Sequence, residues 1–209
     1  MRKNLLLTAI FALALACSAR ADLVTNGSFE NGTYPGGVFA TLNAGSNAIT
    51  GWTVTSGSID WINTYWQPED GAYSIDLSGN QPGGLAISTN LNTVNGQTYV
   101  LSFWLAGNPD GPPTIKPLTV TIGGVPHLFT FDETGHTRSA MGWINETVTF
   151  TASGTTSLQF ASTSDSPYGP ALDNVSVNEV QSQVPEPGSL MLLGSGLAGL
   201  AGFVRRKLQ

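Results

Sequence analysis

The segment Trp61-Ile62-Asn63-Thr64-Tyr65-Trp66-Gln67 interleaves flat rings with amides. Sugars present CH-rich faces that stack on aromatic rings, while amides read their hydroxyls. Trp61, Asn63, Tyr65, Trp66 and Gln67 are therefore candidate carbohydrate contacts. Aromatic residues also fill β cores; Trp104, inside Leu101–Ala106, is expected there, as is Trp52. Tyr65 and Trp66, beside the polar Gln67-Pro68-Glu69-Asp70-Gly71, are expected at the surface.

Signatures of common enzymes are lacking. The chain has no Gly-x-Ser-x-Gly elbow, phosphate loop, dinucleotide fingerprint or zinc-protease helix. His127 and His136 neighbour no plausible nucleophile and read as loop histidines. Adjacent acids such as Glu69-Asp70 and Asp132-Glu133 resemble a glycosidase dyad only superficially, because neighbours in a strand point apart. The expectation is a protein that is not an enzyme.

Residues 22–180 alternate with period two. Trp52–Thr55, Tyr73–Leu77, Leu118–Ile122, Thr147–Phe150 and Leu158–Ala161 place apolar side chains at every second position, as half-buried strands do. Asn95-Gly96, between Leu85–Val94 and Gln97–Ala106, predicts a two-residue hairpin; Gly123-Gly124 marks another turn. Gly107–Pro113 is a turn-rich loop, and the longest irregular stretches are Asn31–Gly51, Thr64–Gly71 and Asp132–Gly142. Eight or nine strands follow, hence an all-β sandwich or jelly roll. First and last strands of a jelly roll tend to lie side by side. Asn26, Glu30 and Asp173 can then meet and offer oxygens to Ca²⁺, or simply cap turns.

Charge is segregated. Residues 22–180 carry two cations, Lys116 and Arg138, against thirteen acids, a formal charge of −11. That field disfavours nucleic acid and anionic lipid. The other six cations lie in the two ends. Arg2 and Lys3, the apolar run Leu5–Ala16 and Ala19-Arg20-Ala21 read as a signal peptide over residues 1–21. Ala14-Leu15-Ala16-Cys17 loosely echoes a lipoprotein box. Cys17 is the single cysteine, so the 22–180 body has no disulfide and depends on its core.

After a polar linker at 181–184 come Pro185-Glu186-Pro187, the uncharged segment 188–204, and Arg205-Arg206-Lys207. As a helix, the uncharged segment would rise roughly 25 Å, slightly short of a hydrocarbon core of about 30 Å. Residues 185–209 resemble the PEP-CTERM sorting signal of Gram-negative bacteria. The resemblance implies processing by exosortase, a membrane protease-transferase, transient residence in the inner membrane through the 188–204 segment, and delivery to the cell surface or extracellular matrix.

A second resemblance spans the body. Leu23-Val24-Thr25-Asn26-Gly27-Ser28-Phe29-Glu30, Gly51-Trp52, Asp70–Leu77, Gln97–Trp104 and Ala171-Leu172-Asp173-Asn174-Val175 occur in that order. They are similar to the choice-of-anchor C family of bacterial exported proteins. That family is related to plant cell-wall proteins of unknown function, and more distantly to jelly-roll carbohydrate-binding modules. The resemblance implies a galactose-binding-like jelly roll over 22–180. By analogy with the binding modules it also implies a structural Ca²⁺, with Glu30 and Asp173 at matching positions. The expected function is adhesive binding of extracellular polysaccharide in a biofilm matrix. A purely structural matrix protein is the alternative, and a carbohydrate-active enzyme the third reading.

Overall fold

The computed structural model describes residues 22–180 and Arg206. The expected signal peptide, the linker and the 188–204 segment lie outside the described residues. Among those described, no helix is long and apolar enough to cross a membrane.

Residues 22–180 form eleven strands and no helix: β1 (Phe39–Asn43), β2 (Trp52–Ser56), β3 (Ser58–Ile62), β4 (Ser74–Asp76), β5 (Gly84–Ile87), β6 (Thr98–Gly107), β7 (Ile115–Ile122), β8 (Val125–Asp132), β9 (Ile144–Thr151), β10 (Leu158–Ser162) and β11 (Pro170–Glu179). Two antiparallel sheets result, one ordered β1-β3-β4-β11-β6-β9 and the other β2-β5-β10-β7-β8. Consecutive strands switch sheets repeatedly, which is the wiring of a jelly-roll sandwich. The inner faces meet through aromatic rings: Phe103 of β6 lies 5.3 Å from Phe160 of β10 and 5.1 Å from Phe129 of β8. Trp52 adds a 6.2 Å contact to Phe160 and is fully buried, as expected.

Three local expectations change. The Asn31–Gly51 stretch contains β1, the edge strand. Asn95-Gly96 does not close a hairpin, because β5 pairs with β2 and β10 whereas β6 lies in the other sheet. The chain leaves β5 at Ile87, crosses between sheets and turns at Gly96, so the expected Leu85–Val94 strand is cut short. Gly123-Gly124 does close β7 onto β8, with φ of +57° and +82°, as a type I′ turn needs. Trp104 sits half-exposed rather than in the core. Its register partners are Asp173 and Asn145, one residue out of phase with buried Phe103 and Leu105.

With so few cations, the loops at one end of the sandwich are held by carboxylates and carbonyls. Asp173, fully buried on β11, accepts the Glu69 and Asp70 N–H groups at 2.9 and 3.1 Å. Glu30 accepts Ala72 and Tyr73 N–H, both at 2.8 Å. Between those pairs Gly71 has a φ of +62°, and a Cβ there would stand 2.4 Å from the Glu30 carboxylate. The 63–73 loop is thus clasped from both termini of the domain. Asp76, 1% exposed on β4, accepts Ser78 N–H at 2.9 Å, Gly169 N–H at 3.2 Å and the Asn108 amide at 2.7 Å. Both body cations tie down the loop after β6: Lys116 donates to Gly111 and Tyr168 carbonyls at 2.6 and 3.1 Å, and Arg138 pairs with Asp110 at 2.8 Å.

Burial dominates the ionisation of these acids. It pushes Asp76 up to about 8 and Asp173 up to about 7, from 3.8, despite the N–H donors around them. Both groups keep a proton in the folded state at pH values where the unfolded chain has lost it. Folding therefore takes up protons between about pH 4 and pH 8, and stability falls as pH rises through that window. The urea midpoint of the 22–180 body should be higher at about pH 5 than at about pH 8.5. A midpoint that stays level or climbs would show that these acids are ionised in the folded protein.

Candidate functional site

Ser-Ile-Asp occurs twice, at 58–60 in β3 and 74–76 in β4. The antiparallel register sets Asp60 directly opposite Asp76 and Ile62 opposite Ser74. Ile59, Trp61 and Ile75 point into the sandwich; the alternation sends both aspartates to the outer face of the six-stranded sheet. There they line a cleft of about 200 Å³. Its other walls include Phe39 and Thr41 of β1, Tyr65 and Trp66 of the 63–73 loop, Asn80, Asn108 and Tyr168.

The two acids have different roles. Asp76 forms the floor, and both its oxygens already accept hydrogen bonds. Asp60 is half-buried; its Oδ1 accepts the Thr41 hydroxyl at 2.5 Å, while Oδ2 has no hydrogen-bond partner. Burial raises the Asp60 pKa, opposed by the Thr41 bond. Tyr65 is fixed by its surroundings: its hydroxyl donates to Asp110 Oδ2 at 2.7 Å and accepts from Arg138 at 2.6 Å. The Arg138 guanidinium also lies 3.9 Å from the Tyr65 ring centroid, and Phe39 meets that ring edge-on at 5.1 Å. Burial, then the Asp110 bond, pushes the Tyr65 phenol up. The cleft thus joins a carboxylate with an open oxygen, two amides, a hydroxyl and three rings at its rim. Few convergent polar groups against aromatic walls are what a small polar ligand needs.

A larger groove, about 600 Å³, lies at the opposite end, lined mainly by the 123–125 and 151–157 turns with His127 and Phe150. It holds no carboxylate, and its polar groups are chiefly turn backbone and Ser or Thr hydroxyls. His127 stands on β8 rather than in a loop; His136 is in the β8–β9 loop, its ring 5.2 Å from Phe131.

The aromatic segment divides. Tyr65 reaches the cleft, half-buried rather than fully exposed. Trp66 contradicts the expectation of a surface ring: it is 4% exposed and donates its indole N–H to Ser74 at 2.8 Å, pinning the loop to the sheet. Trp61, 1% exposed, faces the core and donates to the Phe29 carbonyl at 3.1 Å. Trp61 is outside the cleft, and Trp66 contributes to its wall with little exposed surface. Asn63 and Gln67 do not line the cleft; Gln67 instead fixes its loop by backbone bonds with Arg138 and the Trp143 indole.

Asn26, Glu30 and Asp173 are not assembled into one oxygen cage. Asn26, with φ of +57°, organises a separate loop by bonds to Asn31 and Thr50. Glu30 and Asp173 do approach a common loop, but as acceptors of its backbone N–H groups. Among the described residues no group of three or more His, Cys, Asp or Glu is arranged to hold a metal ion. These donors do not fit a calcium shell as they stand. The first segment does run beside β11, through Leu23 N–H to Val177 O and Val175 N–H to Gly27 O. Of the sorting residues, Arg206 alone is described, helical and exposed; Pro185, Glu186, Pro187 and Arg205 lie outside.

Comparison with known proteins bears on both parts of the chain. Residues 183–207 match the PEP-CTERM protein-sorting motif, which marks the chain for export and sorting to the cell surface. Halomucin of Haloquadratum walsbyi is 34% identical over 188 residues, 83% of this chain; the chain spans about 2% of that protein's length. A family 16 carbohydrate-binding module is 16% identical with a TM-score of 0.49, covering 76% of this chain and 100% of the module. A family 35 module from Clostridium thermocellum is 16% identical with a TM-score of 0.42, covering 68% and 92%. The family described as "Protein of unknown function (DUF642)" matches residues 22–178, and the chain belongs to that family.

Proposed function

We propose that this protein is a non-catalytic glycan-binding module of the cell surface or extracellular matrix, exported by a Gram-negative bacterium and processed by an exosortase. The observation that carries the binding part is the cleft over β1, β3 and β4. There Asp60, Thr41, Asn80 and Asn108 converge beside the rings of Phe39, Tyr65 and Tyr168. Such a site holds a saccharide by stacking and by hydrogen bonds to its hydroxyls. Affinity per site is modest, and display of many copies on a polysaccharide raises it into adhesion within a biofilm. Asp76 belongs to the scaffold, since both oxygens are bonded and its exposure is 1%. The pair is therefore not read as a glycosidase dyad, and no reducing-sugar release from matrix polysaccharide is expected.

The structural-matrix reading has one observation in its favour: Trp61 and Trp66 are buried, leaving fewer exposed rings than the sequence offers. A glycan array separates the two. The 22–180 body is expected to bind at least one saccharide class. Tyr168→Ala is expected to weaken it by about tenfold, the loss of roughly one stacked ring. An array blank for the folded body would leave only the scaffold role.

Two further outcomes follow. Chelator should leave the melting temperature of the body unchanged, because both Asp173 oxygens and Glu30 Oε1 already accept N–H groups and, among the described residues, no third acid, histidine or cysteine joins them to hold an ion. A clear drop in EDTA, reversed by added Ca²⁺, would restore an ion at that place. In the native host, deletion of the exosortase should leave a surface-absent form retaining the 183–207 motif. Unchanged mass and unchanged surface display after that deletion would argue against exosortase processing.

A further inference from the structure

We infer that the glycan taken by this cleft carries a free ammonium group, as a de-N-acetylated amino sugar does. The inference rests on the glycan-binding reading above and specifies its ligand.

Negative charge is left over in the cleft after internal pairing. Asp60 presents an unpartnered Oδ2 to the cleft, and Asp76 lies across the register from it. No cationic side chain lines the cleft. The two body cations near it are both engaged: Lys116 by the Gly111 and Tyr168 carbonyls, and Arg138 by Asp110 and the Tyr65 hydroxyl. A carboxylate with a vacant oxygen in a partly desolvated recess favours a cationic donor over a neutral hydroxyl, since charge-assisted hydrogen bonds are about twice as strong. The rim adds to this selection. Phe39 is 39% exposed, and Tyr65 and Tyr168 stand beside it. Aromatic faces attract cations as well as CH surfaces. Tyr65 already does so, with the Arg138 guanidinium at 3.9 Å. The Asp60 carboxylate would repel a uronic or sulfated sugar, and the net charge of the body works in the same direction.

Calorimetric titration of the folded 22–180 body with a glucosamine tetramer and with its fully N-acetylated counterpart tests the inference. The two probes share a backbone and differ in the ammonium groups. The glucosamine tetramer should bind at least about tenfold tighter. Asp60→Asn should abolish that advantage. Asp70→Asn, an exposed acid outside the cleft, should retain it, which separates a local contact from the general acidic field. Should Asp60→Asn fail to fold, salt provides the second measurement: the advantage should shrink between about 0.01 M and about 1 M ionic strength. Equal or tighter binding of the acetylated tetramer, an advantage lost equally in Asp70→Asn, or one indifferent to salt would each overturn the inference while leaving glycan binding intact. If neither tetramer binds and the array is also blank, the inference and the glycan reading fall together.

Discussion

A shortage of positive charge shapes this molecule. Thirteen acids share two cations in residues 22–180, and no disulfide is possible there. Among the described residues the ion pair is Arg138–Asp110. Buried carboxyl groups must therefore find hydrogen-bond partners in the backbone, because a buried polar group left unpaired is costly whether or not it keeps its proton. Asp173 and Glu30 each take two successive loop N–H groups, and Asp76 takes two N–H groups and an amide. Loops that would otherwise be loose become fixed walls. The pocket exists because those walls are fixed, so the same economy of charge that holds the fold also builds the site.

Much of the body was legible in its pattern. Period-two alternation gave the strands, and Gly123-Gly124 gave a turn because two successive residues with positive φ leave little alternative to glycine. Asn95-Gly96 misled because a turn dipeptide reports a local bend and says nothing about which sheet each arm joins. β1 escaped notice since Phe39–Asn43, an edge strand, carries only two buried positions between exposed ends. Trp104 was misassigned by one residue of phase, which in a strand exchanges the two faces.

The site was half legible for related reasons. Tyr65 stood out by its polar neighbourhood, but Trp66 beside it turns inward, where Ser74 satisfies its indole. Large rings next to polar residues are ambiguous when a loop folds back over a sheet. The aspartates were hidden in plain strands. Their signal was the repeated Ser-Ile-Asp of 58–60 and 74–76, an acid placed in phase with no exposed partner, on two segments a loop apart. Glu30 and Asp173, far apart in the chain, both accept N–H groups of the 63–73 loop, a backbone contact that residue types alone do not signal.

Strand β11 begins at Pro170, next to Tyr168 and Gly169 at the acidic recess, and finishes at Glu179 beside Tyr99. Ten residues of strand span roughly 33 Å. A pull transmitted between a held saccharide and the C-terminal side of the body would run along this strand. Antiparallel hydrogen bonds lie across the strand direction, so such tension strains the β11–β6 ladder in shear, many bonds together, rather than unzipping it one bond at a time. Load along β11 is thereby shared across the ladder.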